Sequence, residues 1–126
     1  MSLLFEELDS QHTPLGDISL RRRTALRLNN TIVYEVKLNE EFLMSSLFVD
    51  AEVALSNLGL AGLDQVFPKS ENGGLDVIVG GLGLGHTALT ALEHDSVKSL
   101  KVVDVMEAVI RWHKEDLVPR GAELAN

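Results

Sequence analysis

The sequence predicts an α/β protein in which a small N-terminal antiparallel β element precedes the first half of a parallel-sheet domain. Three observations lead to this prediction. Residues 1–45 read as short strands separated by turns, residues 46–58 switch to helical periodicity, and residues 75–116 follow a strand–helix–strand–helix order. The chain is therefore divided into a β element over 1–45, a helix and connector over 46–74, and a partial parallel-sheet domain over 75–126.

Composition limits the class of protein. The chain has 126 residues, of which 45% are hydrophobic and 24% charged, as in a folded globular domain. Its formal net charge of −8 disfavours nucleic acid and anionic membranes as partners, because the field of the whole chain repels both. The lack of cysteine excludes a disulfide framework and a thiolate metal site. Without a bilayer-length apolar run or a basic signal-peptide start, we expect a cytoplasmic protein with no metal site.

The β element is predicted because runs of residues with high β propensity are separated by turn residues. Residues 3–8 open with apolar character, and residues 16–21 place Ile18 and Leu20 on one face of a strand. Residues 31–37 are rich in β-branched and aromatic side chains. These runs predict a hairpin or meander that has no core of its own.

Residues 46–58 predict a helix, because apolar residues recur there at spacings of three and four. Ser45 or Ser46 is the expected N-cap, and Gly59 is expected to follow the last helical residue. The polar run over 69–74 predicts a flexible connector.

The strand–helix–strand–helix order follows the connector. Residues 75–79 and 99–103 are short, apolar and β-branched, as expected of parallel strands covered on both faces. Residues 86–93 and 106–116 have helical spacing, and Trp112 is expected to face the core.

A glycine-rich turn joins the first of these strands to its helix. Gly81, Gly83 and Gly85 form the pattern G-x-G-x-G, and Asp104 ends the next strand. Because glycine lacks Cβ, backbone N–H groups can approach a ligand there, and an acid at the carboxyl edge of the sheet can accept both hydroxyls of a ribose. His86 stands where the dinucleotide pattern G-x-G-x-x-G has its third glycine. The turn therefore predicts a Rossmann-like, methyltransferase-type nucleoside site, with a purely structural tight turn as the alternative.

The run VGGLGLGHT followed by VVDVMEAVIRWHK resembles the polyamine aminopropyltransferases, the spermidine synthase family. Val79 favours this family, because ordinary methyltransferases usually place an acid two residues before the first glycine. The strand-like run over 15–20 and a helix beginning after residues 44–46 also occur in the family's order. The specific part of the resemblance covers residues 75–113.

The resemblance implies a nucleoside site and its ligand. The three glycines would line the aminopropyl side of the ligand. Asp104 would hold the ribose, and Val105 would lie against the adenine. Gln11 would lie near the cosubstrate. The implied ligand is decarboxylated S-adenosylmethionine or S-adenosylmethionine. The implied acceptor is a polyamine, and the implied assembly is a homo-oligomer. The residues of this site are Gln11, Gly81, Gly83, Gly85, Asp104 and Val105.

The implied activity is aminopropyl transfer to an amine, which depends largely on positioning. The family pattern continues beyond Asn126 with a third strand and a strand that carries the catalytic acid, so the resemblance implies an incomplete homologue, and no catalytic residue is assigned. Asp50 and Glu52 stand where the family has an amine-binding helix start. Two alternatives stay open: an S-adenosylmethionine-dependent methyltransferase, and a non-catalytic homologue that acts as a binding or assembly module.

Overall fold

A computed structural model describes residues 5–66 and 73–124. The strands are β1 Phe5–Thr13, β2 Gly16–Ala25, β3 Thr31–Leu38, β4 Glu41–Ser45, β5 Leu75–Gly80 and β6 Val97–Val103. The helices are α1 Asp50–Val66, α2 His86–Leu92, α3 Glu107–Lys114 and α4 Gly121–Leu124, with a 3₁₀ turn at Leu26–Leu28. No helix in these two described ranges has the length and apolar character needed to cross a membrane.

Strands β1 to β4 form an antiparallel meander in sequence order. The turn between β2 and β3 contains Asn29 and Asn30, which take positive φ values of 55° and 60°. Asparagine tolerates this conformation better than most residues with a side chain. One face of the sheet presents the buried side chains of Ile18, Leu20 and Val36 to the rest of the molecule.

The β element contains one strand more than the sequence analysis specified, and α1 is displaced along the chain. The strand β4 was not predicted, and it extends through Ser45, so the predicted N-cap at Ser45 or Ser46 is wrong. The Ser46 hydroxyl instead accepts a hydrogen bond from the backbone N–H of Tyr34 at 2.8 Å. The helix also continues through Gly59 to Val66, because its packing against α2 outweighs the low helix propensity of glycine.

Strands β5 and β6 form a separate, parallel, two-stranded sheet with α2 as the crossover. Val77 pairs with Leu100 and Val79 with Val102 on the inner face. The connector predicted over 69–74 lies outside the described residues except for its last two positions.

The prediction of the first half of a Rossmann-like domain is wrong. The structure combines a four-stranded antiparallel sheet with a separate parallel pair and short helices. The sequence pattern was correct for one strand–helix–strand unit, but the expectation that its strands are covered on both faces is wrong, because Ile78 and Val103 are 71% and 55% exposed. In the structure α3 packs against the antiparallel sheet instead, so residues 5–45 supply one side of the shared core.

Trp112 is the largest fully buried side chain of this shared core. Because a buried indole N–H needs an acceptor, its position depends on a polar partner. The Nε1–H of Trp112 donates to Oδ2 of Asp9 at 2.6 Å, and an Arg111 guanidinium N–H donates to the same oxygen at 2.5 Å. This link joins α3 to β1.

The environment of Asp9 favours its charged form. Burial alone would raise the pKa of Asp9. Hydrogen bonds from Trp112 and Gln11, together with the positive charge and hydrogen bond of Arg111, outweigh burial, so the pKa of Asp9 is lowered. The pairing of Asp9 therefore contributes to stability wherever the carboxyl is ionised in the folded state.

We expect Trp112→Phe to lower the free energy of unfolding by about 3 kcal/mol, because it removes buried volume and leaves Asp9 with an unfilled acceptor position. Urea denaturation followed by circular dichroism measures this. Trp112→Phe in an Asp9→Leu background is the control, and there the cost should be about 1 kcal/mol smaller. Equal costs in the two backgrounds would show that the indole–carboxylate bond contributes nothing.

The lowered pKa of Asp9 predicts an acid-dependent loss of stability. This contribution is fully present above the ordinary Asp pKa of about 3.9, and it is lost as the pH falls through the lower pKa of the folded state. Urea unfolding should therefore show a steeper stability loss below about pH 4 in the wild type than in Asp9→Asn. Parallel pH profiles for the two proteins would contradict this role of Asp9.

Candidate functional site

The glycine-rich turn connects β5 to α2. Gly81, Gly83 and Gly85 adopt φ values of +95°, +50° and +91°, a region that residues with a Cβ rarely occupy. The N–H of Gly85 donates to the carbonyl of Leu82 at 2.8 Å, and the N–H of Gly81 donates to the carbonyl of Val103 at 2.7 Å. The second bond fastens the turn to the end of β6.

Asp104 follows β6 directly and holds the glycine turn through its carboxylate. Its Oδ2 accepts the N–H of Leu82 at 2.7 Å, and its Oδ1 accepts the N–H of Met106 at 2.7 Å. Since an ionised carboxylate has about four acceptor positions, each oxygen keeps capacity for a further donor. Asp104 therefore shapes the turn, a role that the sequence pattern does not indicate, and it can also accept two ligand hydroxyls.

The turn and Asp104 line a small cleft of about 250 Å³, here called the glycine cleft. Its opposite wall comes from the end of β4 and from Glu52 on α1. A Cβ at Gly83 would lie 2.8 Å from the Sδ of Met44, whereas a Cβ at Gly81 would meet no atom within 4 Å. The strand β4 thus packs directly on the turn at Gly83 and leaves Gly81 open.

A larger cleft of about 880 Å³ lies between the β1–β2 turn and α3, and is here called the hairpin cleft. Gln11 and Val105 both line it. The Gln11 side chain is anchored because its Nε2 donates to Oδ1 of Asp9 at 3.1 Å, and Val105 is 78% exposed.

The predicted site residues thus divide between two clefts. The three glycines and Asp104 line the glycine cleft, while Gln11 and Val105 line the hairpin cleft. The two clefts share no lining residue, although Asp104 of the glycine cleft directly precedes Val105 of the hairpin cleft in the chain. Of the two acids considered at the start of α1, Glu52 lines the glycine cleft and Asp50 is exposed.

His86 lies beside the turn with its Nε2 buried and without a hydrogen-bond partner in the described part of the chain. Burial lowers the pKa of His86, and the nearby positive charge of Arg120 lowers it further, against a weaker opposing effect of Glu52. Burial and Arg120 therefore both favour the neutral imidazole.

His113 has a structural role in the turn that the sequence analysis missed. It is 3% exposed, and its Nε2 lies 2.8 Å from the carbonyl oxygen of Gly83. Because a carbonyl can only accept, Nε2 carries the proton in this contact. The available signal in the sequence is helical register, which places His113 four residues after the buried Val109.

Among residues 5–66 and 73–124, no three His, Asp or Glu side chains lie together in a way that could hold a metal ion. The expectation of a metal-free site stays a prediction.

No protein-family model matches the sequence, and no curated protein matches it. The resemblance to the spermidine synthase family therefore rests on the quoted motifs alone.

The geometry of the glycine turn predicts that alanine at Gly81 and alanine at Gly85 lower the free energy of unfolding by different amounts. Both Gly81→Ala and Gly85→Ala place alanine at a φ above +90°, which costs about 1–3 kcal/mol. In Gly85→Ala the new Cβ would also lie 2.8 Å from Leu124 Cδ1 and 3.0 Å from His113 Cε1. We expect the free energy of unfolding, measured by urea denaturation, to be about 1–2 kcal/mol lower for Gly85→Ala than for Gly81→Ala. Equal stabilities would contradict the packing at Gly85.

Proposed function

We propose that this chain binds the adenosyl group of decarboxylated S-adenosylmethionine or methylthioadenosine, as a spermidine synthase-like aminopropyltransferase homologue. The observation that carries the proposal is the fixed carboxylate of Asp104 beside a glycine turn. Two backbone N–H groups orient this carboxylate and leave it acceptor capacity for the two ribose hydroxyls. The missing Cβ at Gly81 leaves room for the ligand to approach.

The hairpin cleft suits the adenine ring. Its volume of about 880 Å³ lies within the range of about 300–1,000 Å³ that is common for small-molecule sites. With the ribose at Asp104, a base directed toward Val105 would contact an exposed apolar side chain. The amide of Gln11, anchored on Asp9, adds a polar group to the same cleft.

The charge of the glycine cleft favours a decarboxylated ligand. The aminopropyl arm of decarboxylated S-adenosylmethionine carries an ammonium group near the sulfonium, and Glu52 lines the cleft that would receive it. The additional carboxylate of S-adenosylmethionine would be repelled there. This difference supports aminopropyl transfer, with a polyamine as the acceptor, over methyl transfer.

The ribose role of Asp104 is tested by Asp104→Asn. The amide has one acceptor oxygen instead of two, so we expect the affinity for methylthioadenosine in calorimetric titration to fall at least about tenfold. Titrations are made at a temperature where circular dichroism shows the variant folded, because Asp104 also holds the turn.

The matched control is Asp76→Asn, because Asp76 is an exposed acid on β5 that accepts a hydrogen bond from Ser99 outside both clefts. Its affinity should equal that of the wild type. An unchanged affinity in Asp104→Asn, or tighter binding of NAD than of methylthioadenosine by the wild type, would contradict the proposal.

The charge selection is tested by Glu52→Gln. Removing this carboxylate should reduce the preference for decarboxylated S-adenosylmethionine over S-adenosylmethionine by a factor on the order of five. Asp50→Asn is the control, because this exposed acid begins the same helix but does not line the cleft. Equal affinity ratios in Glu52→Gln and the wild type would show that Glu52 does not select the ligand.

A further inference from the structure

The carbonyl group of Gly83 points into the protein, toward the imidazole of His113. The distance from the carbonyl oxygen to Nε2 is 2.8 Å, and the imidazole is almost completely buried. The same ring lies against the next glycine of the turn, because a Cβ at Gly85 would lie 3.0 Å from His113 Cε1. His113 therefore contacts the turn at two of its three glycines.

The direction of this carbonyl determines the direction of the next backbone N–H. The described peptide bonds are all trans, and in a planar trans peptide the C=O and N–H bonds point in opposite directions. Since the Gly83 carbonyl points toward His113, the N–H of Leu84 points away from it. Leu84 lines the glycine cleft, and its N–H makes no hydrogen bond within residues 5–66 and 73–124.

Two contacts hold this peptide unit in place. His113 holds the carbonyl of Gly83, and Met44 packs against the position where Gly83 would carry a Cβ. Glycine has the greatest backbone freedom of any residue, so a Gly83 without these contacts would sample several peptide orientations. A donor that is already oriented costs less entropy on binding than one that must be ordered by the ligand.

We propose that His113 is a positioning residue for the ribose: it fixes the Gly83–Leu84 peptide so that the Leu84 N–H donates to a ribose hydroxyl oxygen. The O–H of the same hydroxyl donates a hydrogen bond to Asp104. The hydroxyl therefore accepts from the Leu84 N–H and donates to the Asp104 carboxylate. This inference rests on the proposed nucleoside function and adds a donor and its support to that site.

The test compares His113→Leu with His113→Gln by calorimetric titration with methylthioadenosine. Leucine keeps an apolar side chain of similar bulk but cannot donate, so affinity should fall about tenfold. Glutamine places an amide N–H near the position of Nε2 and should retain affinity within about threefold. His94→Leu is the matched control, because His94 makes a side-chain hydrogen bond of the same 2.8 Å length to Asn57, away from the turn. Its affinity should equal that of the wild type.

The outcomes separate this inference from the function on which it rests. If the wild type does not bind methylthioadenosine, the proposed function itself is wrong. If the wild type binds and folded His113→Leu binds equally well, His113 contributes stability only and the positioning role is wrong.

A measurement on the wild type keeps the test decisive if His113→Leu does not fold. In ¹⁵N–¹H NMR spectra, the Leu84 amide proton should move downfield with methylthioadenosine and stay in place with adenine, which has no ribose. A Leu84 amide that does not respond to a bound nucleoside would overturn the inference.

Discussion

The hydrogen bond between the Trp112 indole and the Asp9 carboxylate fixes α3 on the antiparallel sheet, and the shared core depends on it. Trp112 lies in the core against the antiparallel sheet, and it can be fully buried only if its N–H finds an acceptor. Asp9 provides this acceptor from the antiparallel sheet, and the same carboxylate anchors Gln11 beside the hairpin cleft. One carboxylate thus supports both the packing of the core and the position of one wall of the hairpin cleft.

The polar groups around the glycine turn combine structural and binding roles. Asp104 orients the turn through two backbone N–H groups and retains acceptor capacity on both oxygens. His113 holds the Gly83 carbonyl inward, which directs the next N–H outward. A site whose donors and acceptors are already fixed loses little entropy when the ligand binds. The proposed nucleoside site is therefore a consequence of how the turn is held.

Sequence reasoning succeeded where the signal is local and failed where distant segments meet. The strand before the glycine turn and the turn itself could be predicted, because β-branched runs and glycine spacing are properties of neighbouring residues. The antiparallel sheet as the cover of α3 could not, because Asp9 and Trp112 are 103 positions apart. The helix α1 extends beyond Gly59 because packing against α2 outweighs local propensity. His113 lies in helical register with the buried Val109, but nothing local indicates that its imidazole contacts Gly83, which is 30 positions away.

A crystal structure of the chain with methylthioadenosine bound would test the proposed nucleoside site directly. We expect both ribose hydroxyls to lie within hydrogen-bond distance of the Asp104 carboxylate, with the adenine toward Val105 and the methylthio group at the glycine turn. A nucleoside bound with its ribose away from Asp104, or in a different part of the molecule, would show that the glycine turn is not its site.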